Sequence, residues 1–229
     1  IPVGNTPGLV DGATADMTFA LLMAAARHIV RGDHFARAPA FTHFDPNILH
    51  GQEVFGATLG IIGMGGVGQQ LARRAAGFDM KVLYHNRSEI PEIAGKLGAT
   101  YVSLPELLAQ SDFVTLNVPM TPETRNMIGR DELAMMKPTA ILVNAARGGV
   151  LDHDALVDAL SDGTIWAAAL DVTEPEPLPR DHPLLAMENI VIAPHLGSAT
   201  RKTRIGMVQR TIENLIAGLT GGDMPSRVA

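Results

Sequence analysis

The sequence predicts an α/β protein built on a doubly wound parallel sheet with helices on both faces, three layers in all. Three observations carry this. From residue 58 onward, short β-rich apolar runs alternate with stretches whose apolar residues recur at helical spacing, the signature of a parallel sheet. The first of those runs leads directly into Gly63-x-Gly65-x-x-Gly68, which opens a helical stretch. Of the 229 residues 46% are hydrophobic but only 4% aromatic, so an ample core must be made of Ala, Val, Ile, Leu and Met.

The elements follow in order. Residues 12–30 place apolar side chains at helical spacing, with Asp11 or Thr14 available as N-cap. From 31 to 57 the periodicity is lost, yet four of the seven Phe sit there: Phe35, Phe41, Phe44 and Phe55. A loop this long is uncommon in a compact domain without a task, and its apolar side chains predict packing on a second subunit or over the arm's own domain. "TLGII" (58–62) then precedes a helix at about 66–77, and "KVLYH" (81–85) one at about 89–97. A weak strand at "TYV" (100–102) leads to a helix near 105–110, followed by "DFVTLNV" (112–118). "TAILVN" (139–144) precedes a helix at about 152–162. "IWAAAL" (165–170), "NIVIAP" (189–194) and a closing helix over about 199–218 complete the pattern.

Composition excludes several classes of function. A net charge of −6 with scattered Lys and Arg argues against a nucleic-acid surface. With no Cys there is no disulfide framework, thiolate nucleophile or thiolate metal site. The longest apolar run, "MTFALLMAAA" at 17–26, is half the ~20 residues a membrane span needs. No signal peptide is visible, so a soluble cytoplasmic protein is expected. The opening "IPVGNTPGLVDG" lacks an initiator Met and reads as a connector, from a processed chain or a larger protein.

In open parallel sheets, ligands bind outside the carboxyl ends of the strands. Gly63-Met64-Gly65, Asn86-Arg87-Ser88, Pro119, Ala145-Ala146-Arg147, Asp171 and His195 all follow strands and should converge on one edge. The glycine pattern has a mechanism. Gly63 permits the tight turn, Gly65 lets backbone approach a pyrophosphate, and Gly68 lets helix and strand pack closely. The helix N-terminus then offers free N–H groups and a positive dipole end to the phosphates. Flavin and S-adenosylmethionine sites use similar turns, and a glycine turn without any ligand has the same pattern. At the end of the second strand an acid would bond a ribose 2′-hydroxyl, whereas an Arg would accept a 2′-phosphate. "YHNRSE" has Asn86-Arg87-Ser88 there, which favours NADP(H), with NAD(H) as the alternative.

The Rossmann-type turn stands together with "VNAARGGVLD" (143–152), "ALDVTEPEP" (169–177) and "APHLGSAT" (193–200). These segments resemble the D-isomer-specific 2-hydroxyacid dehydrogenases over essentially the whole chain. "TPGLVDGATADMTFALLMAAAR", "LNVPMTPETRNMIG" and "ALDVTEPEPLPRDHPLL" are most similar to the glyoxylate and hydroxypyruvate reductase branch, with 2-ketogluconate reductases very similar.

The resemblance implies the following roles. Arg147, in N-x-x-R-G, grips the substrate carboxylate; His195, in P-H-x-G-S, is the general acid; Glu176, five residues after Asp171, pairs with His195. Composition alone does not select Glu176 over Glu174, since both precede a proline. Asp171 is implied to contact the nicotinamide carboxamide. The implied cofactor set is Gly63, Gly65, Gly66, Val67, Gly68, Asn86, Arg87, Ser88, Pro119, Ala145, Arg147, Asp171, His195, Gly197 and Ser198, with no metal. The chemistry suits a 2-keto acid, which needs a cation for its carboxylate and a proton donor active near neutrality.

Gly66 departs from the family pattern, which usually has Arg, Lys or His there. The family also carries a substrate domain ahead of "IPVGNTP", expected to be missing from this chain, so residues 1–229 read as a dinucleotide-binding domain with its closing helix. A homodimer through that domain is the expected assembly. Two other readings stay open: a non-catalytic, corepressor-like NAD(P)(H)-sensing module, and an NAD-linked phosphoglycerate or lactate-type dehydrogenase, which Asn86-Arg87-Ser88 disfavours.

Overall fold

Seven strands form one sheet in a computed structural model that describes residues 1–228. They are β1 (Thr58–Ile62), β2 (Lys81–His85), β3 (Ala99–Tyr101), β4 (Phe113–Leu116), β5 (Ile141–Asn144), β6 (Ala167–Leu170) and β7 (Ile190–Ile192). The order is β3-β2-β1-β4-β5-β6-β7, and every pairing is parallel. Winding runs outward from β1 in one direction and then, from β4, in the other. The chain therefore reverses between β1 and β4, and a crevice opens there at the carboxyl ends of the strands.

Alternation along each strand feeds two cores. On one face Leu59, Ile61, Val82 and Tyr84 pack beneath α1 (Asp11–Ala26) and α3 (Gly66–Ala76). On the other, Ile62, Leu83, Val114 and Leu142 meet Leu107 of α5 (Leu104–Gln110), Leu133 of α6 (Arg130–Met135) and Leu156 of α7 (His153–Ser161). The three-layer, doubly wound sheet read from the sequence is the architecture observed. β6 is nearly all alanine, and Ala167 and Ala169 let α1 lie close over it. α4 (Pro91–Leu97) covers β3, and α8 (Arg201–Thr220) closes the chain, capped by the Thr200 hydroxyl, which accepts from Thr203 N–H at 3.2 Å. Among the described residues no helix is long and apolar enough to cross a membrane.

Three local expectations need correction. Neither Asp11 nor Thr14 caps α1: the cap is Val10, whose carbonyl accepts from Thr14 N–H at 2.8 Å, and Asp11 is already the first helical residue. The arm 31–57 is not irregular throughout, because α2 (Ile29–Arg37) occupies its start. That helix begins just after His28, whose left-handed φ of +51° breaks the stretch read as one helix over 12–30, and it buries none of its residues. α6 also went unread, since six residues span under two turns and show no full period. The far end of the arm folds over its own domain, with Val54 buried in the core and Gln52 N–H donating to the Ala26 carbonyl at 2.8 Å, while Phe44, 81% exposed, and Phe55, 64%, stand out from it.

Candidate active site

At the end of β1 the backbone turns at Gly63 with φ +98°, a conformation side chains rarely adopt. A Cβ there would also stand 2.7 Å from the carbonyl oxygen of Asn117, just beyond β4, so glycine is required twice over. Gly68 meets the carbonyl of Gly63, which brings α3 hard against the strand. Gly65 differs, because nothing lies within 4 Å of where its Cβ would be. The turn is thus closed by two glycines and left open at the middle one, the place where a phosphate would approach. α3 begins at Gly66 without a side-chain cap, so its first N–H groups, from Gly66, Val67 and Gly68, are unclaimed by side chains.

Asn86, at the end of β2, accepts a hydrogen bond from Met64 N–H at 2.7 Å through Oδ1 and ties its strand to the glycine turn. Tyr101 donates to the Asn86 carbonyl at 3.2 Å and steadies the same corner. Gly63, Gly65, Asn86, Arg87, Ser88 and Pro119 line one cavity of about 470 Å³ at the switch point. Gly66 lies beside it beneath Asp11, whose carboxylate fills the space that a side chain at 66 would take.

The second group of residues follows β5, β6 and β7. Asn144, fully buried, donates to the Arg147 carbonyl at 2.9 Å and accepts from Ala146 N–H at 3.0 Å, which fixes the Ala145–Arg147 turn. Arg147 itself is exposed, with Nη1 donating to the Ala146 carbonyl at 2.6 Å. The two glycines after it are needed for packing. A Cβ at Gly148 would strike the Thr173 backbone, and one at Gly149 the Glu174 carboxylate. The segment that carries Glu176 therefore lies flat on the segment that carries Arg147.

Asp171 follows β6 and is 1% exposed. Its two carboxylate oxygens accept from Leu196 N–H and Gly197 N–H, each at 2.7 Å, and its carbonyl accepts from His195 N–H at 2.8 Å. His195 needs this support, because its φ of +56° is left-handed, a costly conformation for a residue with a side chain. Held there, His195 meets Glu176, Nδ1 to Oε1 at 2.6 Å. The resemblance put Asp171 at the nicotinamide; here its carboxylate is engaged in holding the turn of the catalytic candidate. Glu174 turns away and pairs with Arg125 at 3.0 Å.

The two groups share the carboxyl edge of the sheet, and α1 links them. Asp11 lies over Gly66, and one turn later Thr14 lies against Gly197, 3.3 Å from where its Cβ would be. Ser198 continues that turn, its carbonyl accepting from Thr200 N–H at 2.9 Å. Three residues went unassigned in the sequence. Asn144 had one signal, a polar residue closing an apolar strand. Arg125 and Glu123 had none, since only the fold brings their loop to this edge.

The family profile described as D-isomer specific 2-hydroxyacid dehydrogenase, NAD binding domain, matches residues 19–197. A glyoxylate reductase of Aeropyrum pernix is 49% identical over all of this chain, which spans 69% of that protein. The crystal structure of the TT0316 protein of Thermus thermophilus superposes with a TM-score of 0.95 at 47% identity, covering all of this chain and 72% of that one. The D-lactate dehydrogenase of Lactobacillus jensenii, solved with NAD+, gives a TM-score of 0.88 at 30% identity over the whole chain and 72% of its own. With the glycine turn, the Arg147 turn and the His195–Glu176 pair on the same edge, the chain belongs to the D-isomer-specific 2-hydroxyacid dehydrogenases, on the branch that holds the glyoxylate reductases.

Proposed function

We propose that this chain binds NADPH and reduces a small 2-keto acid, glyoxylate, hydroxypyruvate or 2-ketogluconate, to the D-2-hydroxy acid. The observation that carries the reading is the 2.6 Å contact of His195 Nδ1 with Glu176 Oε1, on the sheet edge that also bears the glycine turn. With Nδ1 committed to Glu176, Nε2 is left to face a carbonyl oxygen, and imidazole is the side chain that yields a proton near neutrality.

In this reading Arg147 holds the substrate carboxylate with its planar fork, which also sets the keto carbon in one orientation. His195 gives its proton to the carbonyl oxygen as the alkoxide forms. Glu176 keeps the ring in place. The glycine turn with Gly66 and Val67 receives the pyrophosphate, Asn86, Arg87 and Ser88 surround the adenosine ribose, and Pro119, Ala145, Asp171, Gly197 and Ser198 complete the cofactor site. The nicotinamide, when bound, supplies the hydride. The glyoxylate reductases at up to 49% identity support the choice of substrate class. Steady-state oxidation of NADPH by glyoxylate, in the full-length enzyme and in His195→Ala, tests it. A loss of about 10²–10⁴ in kcat is expected from the removed proton donor, and an undiminished rate would refute the assignment.

A homodimer through this domain belongs to the same proposal. Phe41, Phe44 and Phe55 on the arm are 47%, 81% and 64% exposed, apolar surface that a second subunit would cover. Light scattering at micromolar concentration should give twice the chain mass, and Phe44→Glu should halve it.

A further inference from the structure

The cavity at the switch point contains a charge that the "YHNRSE" turn does not supply. Among its lining residues Glu123 is the one carboxylate and Arg87 the one guanidinium. They arrive from opposite sides, because β2 and β4 flank β1 and each sends its following loop over the crevice. The Glu123 loop is a closed turn. Thr121 N–H donates to Thr124 Oγ1 at 2.8 Å, that hydroxyl donates to the Pro119 carbonyl at 2.7 Å, and Arg125 N–H donates to the Thr121 carbonyl at 3.0 Å. These bonds hold the loop backbone at the cavity, with Glu123 exposed on its rim.

We propose that Glu123 is a specificity-determining residue for the cofactor: its carboxylate competes with a ribose 2′-phosphate for Arg87 and accepts from a free 2′-hydroxyl. It thereby restrains the preference for NADPH and admits NADH. The proposal rests on the reading that Arg87 receives the 2′-phosphate. The Thr121 hydroxyl, its own backbone N–H and the charge of Arg87 hold the Glu123 carboxyl below the usual range, favouring its anion. A phosphate dianion entering the cavity must draw Arg87 away from this acid and tolerate it as a neighbour. The 2′-hydroxyl of NADH finds in the same acid an anionic acceptor, which Asn86-Arg87-Ser88 at the end of β2 do not supply.

The test is titration of the cofactor-free protein with NADPH, NADH, 2′-phospho-AMP and AMP, for the unmutated chain, Glu123→Gln, Arg87→Ala and the double variant. Glu123→Gln should raise the NADPH-to-NADH affinity ratio by about two- to fivefold, the range of an exposed charge pair, and the gain should shrink in high salt. The same gain should appear for 2′-phospho-AMP against AMP, and Glu123→Ala should reproduce it. An unchanged ratio in both Glu123 variants, with NADPH binding collapsed in Arg87→Ala, overturns the role of Glu123 and leaves the Arg87 reading intact. An unchanged ratio in Arg87→Ala, with the Glu123 gain still present, removes Arg87 as its partner and overturns the competition.

Discussion

His195 and Glu176 meet at 2.6 Å although each is close to half exposed, so the contact depends on how the two backbones are held rather than on burial. Glu176 stands on a segment laid against Gly148 and Gly149; His195 sits on a left-handed turn pinned by Asp171. Glu176→Gln should therefore lower kcat, since the amide keeps the shape but replaces a charge-assisted contact with a weaker one that orients the ring less firmly. Glu174→Gln should do little in comparison, because its ion pair with Arg125 is exposed at both ends and worth at most about 1 kcal/mol. Steady-state kinetics on the two variants separates them, and equal damage would refute the assignment.

Asp171→Asn tests the pin. An amide presents one acceptor where two N–H groups must be met, so one of Leu196 and Gly197 faces a donor. Each lost bond to a charged acceptor is worth about 1.5–3 kcal/mol. A lower Tm and a weakened kcat are expected together; thermal denaturation and turnover of the same preparation would show whether they coincide.

The glycines of the phosphate turn should behave differently from one another. Gly68→Ala drives a methyl into the Gly63 carbonyl and should lower Tm clearly. Gly65→Ala meets no protein atom within 4 Å, so Tm should hold while cofactor affinity falls. Differential scanning calorimetry with a parallel NADPH titration distinguishes the cases, and an equal loss of Tm in both would show that the middle glycine is also structural.

Cofactor preference should follow the corner at Asn86 and Arg87. NADPH is expected to bind about tenfold tighter than NADH, from a charge-assisted bond of roughly 1.5–3 kcal/mol, and Arg87→Ala should remove most of that difference. Asn86→Asp keeps an acceptor for Met64 N–H, adds a negative charge, and should shift the preference toward NADH. Equal binding of both cofactors by the unmutated protein would contradict the first expectation.

His153 gives a pH dependence of stability. It is buried at the start of α7, its Nε2 has no partner among the described residues, and burial pushes its pKa below the ordinary value of 6.5. The unfolded chain takes up a proton as pH falls through about 6.5, whereas the folded chain resists it, so stability is intact above that pH and is lost below it. His28 is shifted in the same direction by burial and adds to the slope. Tm measured from pH 7.5 to 5 should fall, and His153→Gln should flatten part of the decline.

The sheet was legible because each buried strand is a short apolar run bounded by turns. α2 was not, since it follows a left-handed break at His28 and buries none of its residues. At the site, residues that follow strands were legible through position alone: Gly63, Asn86, Arg147, Asp171 and His195 all lie where the topology sends them. The choice between Glu174 and Glu176 was not a matter of composition, because two prolines give both acids the same surroundings in sequence. Glu123 was invisible for another reason. Its approach to Arg87 exists only once β1 lies between β2 and β4, and a charge that acts across a crevice leaves no pattern along the chain.

α1 touches the phosphate turn through Asp11 and the His195 turn through Thr14, three residues and about 4.5 Å of helical rise apart. A helix is stiff over that distance, so it acts as a gauge block between the two halves of the chemistry. Any roll or slide of α1 moves the seat of the cofactor's phosphates and the proton donor in concert. The spacing between hydride source and proton source is thereby set by one rigid part, and a substitution in the core beneath α1, at Leu22 or Ala25, would miscalibrate both without touching either.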